Sequence, residues 1–296
     1  MINISKEQFR YERKYRPRSW EQMIGQKDAI REIQNALSRP ETKHFMFKGP
    51  SGVGKTCAGE IIARQLKYDY AEFNASNSRK IDDVRTIIIP ALKASNRKVI
   101  LMDEADKMTD PAQSALRRPL EKTKNTIMIF CVNHPHKIIK AIKSRCVNIT
   151  FSRLKDEEVI EGIKRVLVGE QIKFTYKTSE ERTKINKGLM YLAKSSRGDL
   201  RRAFNSLEKL INKDKQITVE NIIGLIPPNH AINAIQTAIN GNFEKGKNMM
   251  YDAYILSGSY ETILDEIYEN IDKLEIKSND IHIKIYEALG KLEHRL

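Results

Sequence analysis

At 296 residues, with 40% hydrophobic and 30% charged side chains, the chain is long enough for two or three domains, and its composition excludes a disordered protein. The net charge is +14, and no apolar run approaches the ~20 residues that a membrane-spanning helix needs, so we expect no membrane partner. Three cysteines without CxxC spacing suggest neither a disulfide framework nor a zinc site, which favours a reducing cell interior, cytoplasmic or nuclear.

Short apolar runs alternate with helical stretches through the first half of the chain. This rhythm predicts an open parallel α/β sheet with crossover helices. The predicted strands are residues 44–47, 71–73, 99–102, 126–132 and 147–151. The predicted helices between them are 55–67, 80–94, 111–121 and 137–142.

From Arg153 onward, apolar residues recur at helical spacing and no strand pattern persists, so we expect this half to be all helical. Pro227 and Pro228 mark the expected linker between two helical domains. The sequence therefore predicts three domains, a sheet domain at 1–152, a small helical lid domain at 153–226 and a helical collar domain at 227–296.

The segment after the first predicted strand matches GxxxxGK[ST], a phosphate-binding loop, and it opens a predicted helix as that motif requires. Its glycines let backbone N–H groups face phosphates at a helix N-terminus. Lys55 is expected to reach the β- and γ-phosphates, and Thr56 to ligate Mg²⁺. The expected nucleotide-binding residues here are Gly49, Pro50, Ser51, Gly52, Val53, Gly54, Lys55, Thr56 and Cys57.

Two carboxylates follow the apolar run at 99–102, at the strand end where open α/β sheets bind ligands. We interpret them as a Walker B pair, with Asp103 holding Mg²⁺ and Glu104 polarising the attacking water as general base. A strand followed by an acidic helix cap would give the same letters. The loop at 49–56 favours the Walker interpretation, and the pair predicts hydrolysis as well as binding.

Residues 103–106 read DEAD, which is also the motif of a class of RNA helicases. Such helicases need a second nucleotide-binding α/β domain, and the second half of this chain is predicted to be helical. His134 and His136 could suggest a metal site, but no third or fourth donor is near them in sequence. We therefore expect neither a DEAD-box helicase nor a histidine metal site.

Several segments together match the motifs of one family. They read KYRP (14–17), IGQ (24–26), FNAS (73–76), AQSALRR (112–118), SRC (144–146) and GDLR (198–201). On these residues, and over nearly its whole length, the chain resembles the replication factor C small subunits, sliding-clamp loaders of the AAA+ class. The resemblance implies an AAA+ ATPase core, a helical lid and a helical collar, with ATP and Mg²⁺ as cofactors.

The resemblance also assigns residues to the ATP site. Glu104 and Asn133 would direct the attacking water, and Arg201 would approach the γ-phosphate from the chain's own lid. Arg145 would act in trans, as an arginine finger on the nucleotide of a neighbouring subunit, so the resemblance implies an oligomer. The residues expected around the adenine are Tyr15, Arg16, Pro17 and Ile24.

The positive charge is concentrated in residues 1–152, which hold 29 Lys and Arg against 16 Asp and Glu, whereas the remainder holds 23 against 22. A basic half favours a polyanionic partner, although a lysine-rich proteome would give the same excess. By resemblance, the expected contacts with primer-template DNA are Arg79, Lys80, Arg85, Arg117 and Arg118. The expected contacts with a sliding clamp of the PCNA type are Ile88, Ile89 and Leu92.

Three departures from the family pattern stand out. Asn77 occupies a position where the family usually has Asp, and Pro119 should end or kink its helix early. The segment 293–296 resembles one that normally precedes another helix, so we expect a weaker collar.

The sequence thus predicts a DNA-stimulated ATPase subunit that loads a clamp onto primer-template DNA within a heteropentamer of small subunits and a large subunit. Two alternatives remain open, another AAA+ DNA motor or initiator, and a subunit that binds ATP without hydrolysing it.

Overall fold

The computed structural model describes residues 11–39, 44–76, 81–93, 95–123, 125–211, 215–218, 221–222, 230–257, 260–276 and 279–293. The chain divides into two compact units. One comprises Met1–Val166 with Ala193–Asn205, and the other comprises Leu167–Leu192 with Ser206–Leu296. The three-domain boundaries at 152 and 226 stay a prediction.

The first unit contains a five-stranded sheet in which every neighbouring pair is parallel, as the sequence predicts. The strand order is β2-β3-β4-β1-β5. The strands are β1 (His44–Lys48), β2 (Asp69–Asn74), β3 (Lys98–Asp103), β4 (Thr126–Val132) and β5 (Cys146–Thr150).

Helices cover both faces of this sheet because its central strands are apolar on both sides. Alternate side chains of one strand enter different cores, so Leu101 packs in one cluster and Ile100 in the other. The helical elements of this half are α1 (Tyr11–Lys14), α2 (Lys27–Leu37), α3 (Lys55–Leu66), α4 (Ile81–Asp83), α5 (Ile89–Lys93), α6 (Asp110–Lys122) and α7 (Lys140–Lys143). One core contains side chains of α2 and α3, and the other contains side chains of α5, α6 and α7.

The predicted helix at 80–94 is interrupted by a π-helical segment, Val84–Ile88, between α4 and α5. Ile88 is 0% exposed and Leu92 is 2% exposed, because residues four apart share one face and that face packs into the core. The prediction that these two side chains contact a clamp is therefore wrong. Ile89 is half-buried, and Ile87 is the exposed one, at 45%.

Helix α6 runs through Pro119 to Lys122, so of the two predicted outcomes the early end of the helix is wrong, and a kink at this proline stays a prediction. Leu116 and Leu120 bury one face of α6 on both sides of the proline. The N–H and the hydroxyl of Thr123 both donate to the carbonyl of Pro119, which closes the last turn. Burial and capping thus offset the hydrogen bond that proline cannot make.

The predicted helix at 137–142 is also shorter than expected. A 3₁₀ turn at Pro135–Lys137 precedes α7, which begins only at Lys140. Ile138 lies between them with extended backbone and a buried side chain, so the apolar pattern reflected core packing of a loop.

Beyond the sheet, most described elements are helices, but the prediction of an all-helical half is wrong. Lys173–Phe174 and Gln216–Ile217 form a short parallel pair, β6 and β7. Two residues per strand are too few to produce an alternating pattern. The α-helices that the structure describes in this half are Asp156–Gly169, Ser179–Ser196, Leu200–Leu210, His230–Ile239, Phe243–Ser257, Tyr260–Asn270 and Asn279–Glu293.

The last described helices share an apolar core of their own within the second unit, which includes Ile232, Ala253, Ile263, Ile267 and Leu289. Pro227, Pro228 and Asn77 lie outside the described residues. Within the described part of the chain, no helix is both long and apolar enough to cross a membrane.

Candidate active site

The phosphate-binding loop joins the end of β1, which lies between β4 and β5 in the sheet, to the start of α3. Gly49 and Gly54 both have positive φ, at 151° and 99°. A Cβ on Gly49 would lie 2.2 Å from the backbone oxygen of Phe151, so only glycine fits there. The first N–H groups of α3 lack acceptors within the helix, and this geometry suits a bound phosphate.

Lys55 is turned into this loop and is only 7% exposed. Its Nζ donates to the carbonyl oxygens of Gly49 and Pro50, both at 2.6 Å, and to Oδ1 of Asn133 at 3.0 Å. Burial lowers the pKa of Lys55, and the carboxylate of Asp103 acts in the opposite direction. The ammonium therefore donates two hydrogen bonds to the loop that would hold the phosphates and one to the side chain at the end of β4.

Thr56 and Asp103 meet at the start of α3 and the end of β3. The hydroxyl of Thr56 donates to Oδ2 of Asp103 at 3.3 Å. Both side chains offer the hard oxygen ligands that Mg²⁺ prefers. The described residues contain no cluster of three or more His, Cys, Asp or Glu side chains that could hold a metal by themselves, so these two oxygens fit an ion shared with nucleotide phosphates and water.

Glu104 has a left-handed backbone, with φ 51°. Such a conformation is uncommon for a residue other than glycine and often marks a functional position. Its Oε2 accepts hydrogen bonds from Nζ of Lys107, at 2.8 Å, and from the hydroxyl of Ser76. These two contacts, that of Lys107 first, lower the pKa of Glu104. The carboxylate of Glu104 is therefore ionised, and Ser76 and Lys107 hold it in place.

Asn133 is fixed from two directions at the end of β4. Its side chain accepts from Lys55, and its backbone N–H donates to Oδ1 of Asp106 at 3.2 Å. Asp106 is 7% exposed. Sequence reasoning assigned no role to Asp106, Lys107 or Ser76, although Ser76 and Asp106 end motifs that it quoted and Lys107 follows one directly.

A cavity of about 260 Å³ opens beside the loop. The aromatic and guanidinium groups of Tyr15 and Arg16 line it, and Nη2 of Arg16 lies 2.8 Å from Oε1 of Glu60. Burial raises the pKa of the Cys57 thiol, which favours a neutral packing group. The predicted residues that line this cavity are Tyr15, Arg16, Pro17, Ile24, Ser51, Gly52, Val53, Gly54, Lys55, Thr56, Cys57, Asp103, Glu104, Asn133 and Arg201.

The GDLR segment contacts the phosphate-binding loop directly. Asp199 caps the helix Leu200–Leu210 by accepting from the N–H of Arg202 at 3.0 Å. The same carboxylate accepts from the hydroxyl of Ser51 at 3.1 Å, and the N–H of Leu200 donates to the carbonyl of Gly52 at 3.3 Å. Sequence reasoning included Asp199 in the GDLR motif but assigned it no role, although an Asp before a helix is a capping signal.

Arg201 lines the cavity with its side chain 62% exposed, and its Nε lies 3.6 Å from Oε2 of Glu12. Arg145 does not line the cavity of its own chain. Its Nη2 donates to Oε1 of Glu121, and its Nη1 donates to the carbonyl of Ala141.

Three of the predicted DNA-contacting residues belong to helical segments that pack on the face of the sheet opposite α3. Arg117 and Arg118 are exposed on α6, and Arg85 is exposed in the π-helical segment. Arg79 and Lys80 lie outside the described residues. A DNA-binding role for these arginines stays a prediction. His134 and His136 contact each other, with ring centroids 5.7 Å apart.

Most of the part of the chain that forms the five-stranded sheet matches a known family model. The model of the "ATPase family associated with various cellular activities (AAA)" matches residues 45–154. This match includes the phosphate-binding loop, the two acidic residues at the end of β3 and Asn133.

Similar curated proteins extend over nearly the entire chain. The replication factor C small subunit of Methanothermobacter thermautotrophicus is 30% identical over 300 residues, covering 96% of this chain and 90% of that protein. The replication factor C small subunit of Methanocella arvoryzae is 33% identical over 298 residues, covering 96% and 89%.

Similar solved structures include that of the Thermotoga maritima RuvB Holliday junction branch migration motor. It has a TM-score of 0.60 and 19% sequence identity, and the match covers 84% of this chain and 90% of that one. At this identity, the similarity supports the fold and carries no argument about activity.

Proposed function

Because the chain belongs to the replication factor C small-subunit family of AAA ATPases, we propose that it is a DNA-stimulated ATPase subunit of a clamp loader, which opens a sliding clamp and places it on primer-template DNA. The observation that carries the ATPase part of this proposal is the convergence of Lys55, Thr56, Asp103, Glu104 and Asn133 on one cavity. The clamp-loading part is supported by the similarity to replication factor C small subunits. A subunit that only holds ATP would not need a general base beside the metal ligands.

The residues of the cavity divide the work on ATP between them. Thr56 and Asp103 would hold Mg²⁺, which neutralises charge on the β- and γ-phosphate oxygens. Lys55 and the N–H groups of α3 bind and orient the phosphates. Glu104 takes up the proton of the attacking water after leaving Ser76 and Lys107, and Asn133 orients that water.

We also propose that the active site is completed by a neighbouring subunit. Arg145 lies outside the cavity of its own chain, so any role on a nucleotide would be in trans. Such a finger stabilises the charge of the transferring phosphoryl group. The working assembly would then be a heteropentamer of small subunits and one large subunit, and it would act inside the cell. Within this chain, the proposed domain boundaries are at residues 152 and 226.

Primer-template DNA and the clamp would meet different surfaces. The exposed guanidinium groups of Arg85, Arg117 and Arg118 suit contacts with phosphates, which carry no base sequence information. Because Ile88 and Leu92 are buried, the proposed clamp contact consists of Ile89 and the exposed Ile87.

Complementation between two inactive variants tests this proposal. Lys55→Ala removes the phosphate contact and leaves Arg145 intact, whereas Arg145→Ala does the reverse. Each variant alone, in an assembly of small subunits, should have little ATPase activity. A mixture should recover activity, because the first variant supplies a finger to the intact pocket of the second. A mixture as inactive as its components would overturn the shared site.

The proposed clamp-loading function is tested separately from the ATPase activity. Turnover of the assembled complex should rise on adding both a PCNA-type ring and primed DNA, and it should rise less with either one alone. Stimulation by a four-way junction and no response to the ring would instead support a branch-migration motor.

A further inference from the structure

The guanidinium group of Arg145 is engaged by its own chain from two directions. Nη2 forms an ion pair with Oε1 of Glu121, which lies 24 residues earlier in the last turn of α6. Nη1 donates to the carbonyl of Ala141 and to the hydroxyl of Ser144. Both terminal amino groups, which could otherwise bind a phosphate, therefore already donate to this chain.

This retracted position satisfies Arg145 only in part. Its Nε is buried and has no hydrogen-bond partner among the described residues. A buried unpaired N–H is destabilising. The side chains of Arg145 and Glu121 are 27% and 50% exposed, so water screens their ion pair. A screened ion pair of this kind can hold the side chain of Arg145 and is still weak enough to release it.

The carboxylate of Glu121 is surrounded by positive charge. Arg117 and Arg118 precede it by four and three residues on α6. The hydrogen bond and charge of Arg145, followed by the charges of these two arginines, lower the pKa of Glu121. The residue is therefore ionised at neutral pH and offers Arg145 a single negative charge.

A nucleotide phosphate is a stronger partner for the same guanidinium than this carboxylate. It carries more negative charge and more acceptor oxygens, and the planar fork of arginine matches it bidentately. Arg145 would therefore leave Glu121 only when a neighbouring subunit presents a phosphate in reach.

We propose that Glu121 is a positioning residue, which holds Arg145 on its own subunit and so keeps the ATPase slow until a neighbour with bound ATP takes the finger. The proposal rests on the proposed role of Arg145 in trans. Glu121 itself would contact neither ATP nor the reacting water.

Glu121→Gln tests this role because it removes the negative charge and keeps the shape of the side chain. In the assembled complex without DNA, we expect kcat to rise about two- to fivefold, with KM for ATP changed less than twofold. Glu121→Asp retains the charge and should keep most of the restraint. Glu32→Gln, at an exposed position of α2, is the matched control and should leave turnover unchanged.

A second variant separates the restraint from a structural effect. In the Arg145→Ala background, Glu121→Gln should have no further effect, because the finger that it restrains is absent. A fall in kcat of Glu121→Gln to the level of Arg145→Ala would show that Glu121 orients the finger productively and would overturn the proposal. Unchanged turnover of Glu121→Gln beside an impaired Arg145→Ala would also overturn it. Unchanged turnover of Arg145→Ala would instead refute the finger itself.

Discussion

The side-chain oxygen of Asn133 accepts a hydrogen bond from the ammonium group of Lys55, 3.0 Å away, and this contact joins the end of β4 to the start of α3. It links the residue that would bind the γ-phosphate to the residue that would orient the attacking water. Asp106 fixes the backbone of the same asparagine. These contacts predict that nucleotide binding and hydrolysis can be separated by mutation.

Asn133→Ala should lower kcat by about 10- to 100-fold, because the attacking water loses a partner that positions it. The affinity for ATP should change less than threefold, since Lys55 keeps its carbonyl partners. Steady-state turnover and titration with a fluorescent ATP analogue measure the two effects. A tenfold loss of affinity with unchanged kcat would show that Asn133 serves binding instead.

Glu104→Gln should abolish most turnover and retain ATP binding, because the amide cannot take up a proton. Loss of a general base typically costs about 10²–10⁴-fold in rate. Single-turnover hydrolysis measures the chemical step directly. Glu72→Gln, on the outer strand β2, is a matched control for the change in charge. Normal turnover of Glu104→Gln would exclude the carboxylate as the base.

Lys107→Gln should move the acidic limb of the ATPase pH profile to higher pH. The pKa of Glu104 is lowered, so its ionised form persists as pH falls until the lowered pKa is reached. Removing Lys107 takes away the first cause of the shift, and the base becomes protonated at a higher pH. The pH dependence of kcat/KM measures this, with Lys137→Gln as the control. A limb that does not move would mean that another group controls it.

Gly49→Ala should prevent ATP binding and destabilise the fold, because the new Cβ would meet the backbone oxygen of Phe151 at 2.2 Å. Strain against backbone cannot be relieved by a rotamer change, and we expect a loss of about 2 kcal/mol or more in the free energy of unfolding. Gly290→Ala is the matched control. A Cβ there has none of the described residues' atoms within 4 Å, and alanine in that helix should stabilise by about 0.5–1 kcal/mol.

Asp199→Ala should weaken both the helix at Leu200–Leu210 and the phosphate-binding loop. The helix loses its N-cap, which costs about 1 kcal/mol, and Ser51 loses an acceptor. Urea unfolding and ATP titration measure the two effects. Asp199→Asn retains a capping oxygen and should restore most of the stability. An equal loss of stability in both variants would show that the negative charge of Asp199 is the cause, and it would exclude the capping hydrogen bond.

Comparison of the motif segments shows where sequence reasoning succeeds. The parallel sheet, the loop at 49–56 and the positions of Asp103, Glu104 and Asn133 at strand ends follow from local patterns. In contrast, Ile88 and Leu92 were predicted on the surface, and both are buried. An apolar run of five or six residues shows that part of a helix will be buried. Which of its side chains are buried depends on how the helix packs against the sheet, and a local pattern does not give that packing.

The sequence by itself determined the family, the sheet and the position of the loop at 49–56 between β1 and α3, because these depend on motifs whose residues are close together in the chain. Only the tertiary structure decided which side chains hold the proposed catalytic groups, Glu104 and Arg145. Ser76 reaches Glu104 across 28 residues, and Glu121 reaches Arg145 across 24. Ion pairs and hydrogen bonds depend on distances of a few ångströms between side chains, and these distances are set only when the strands and helices pack together.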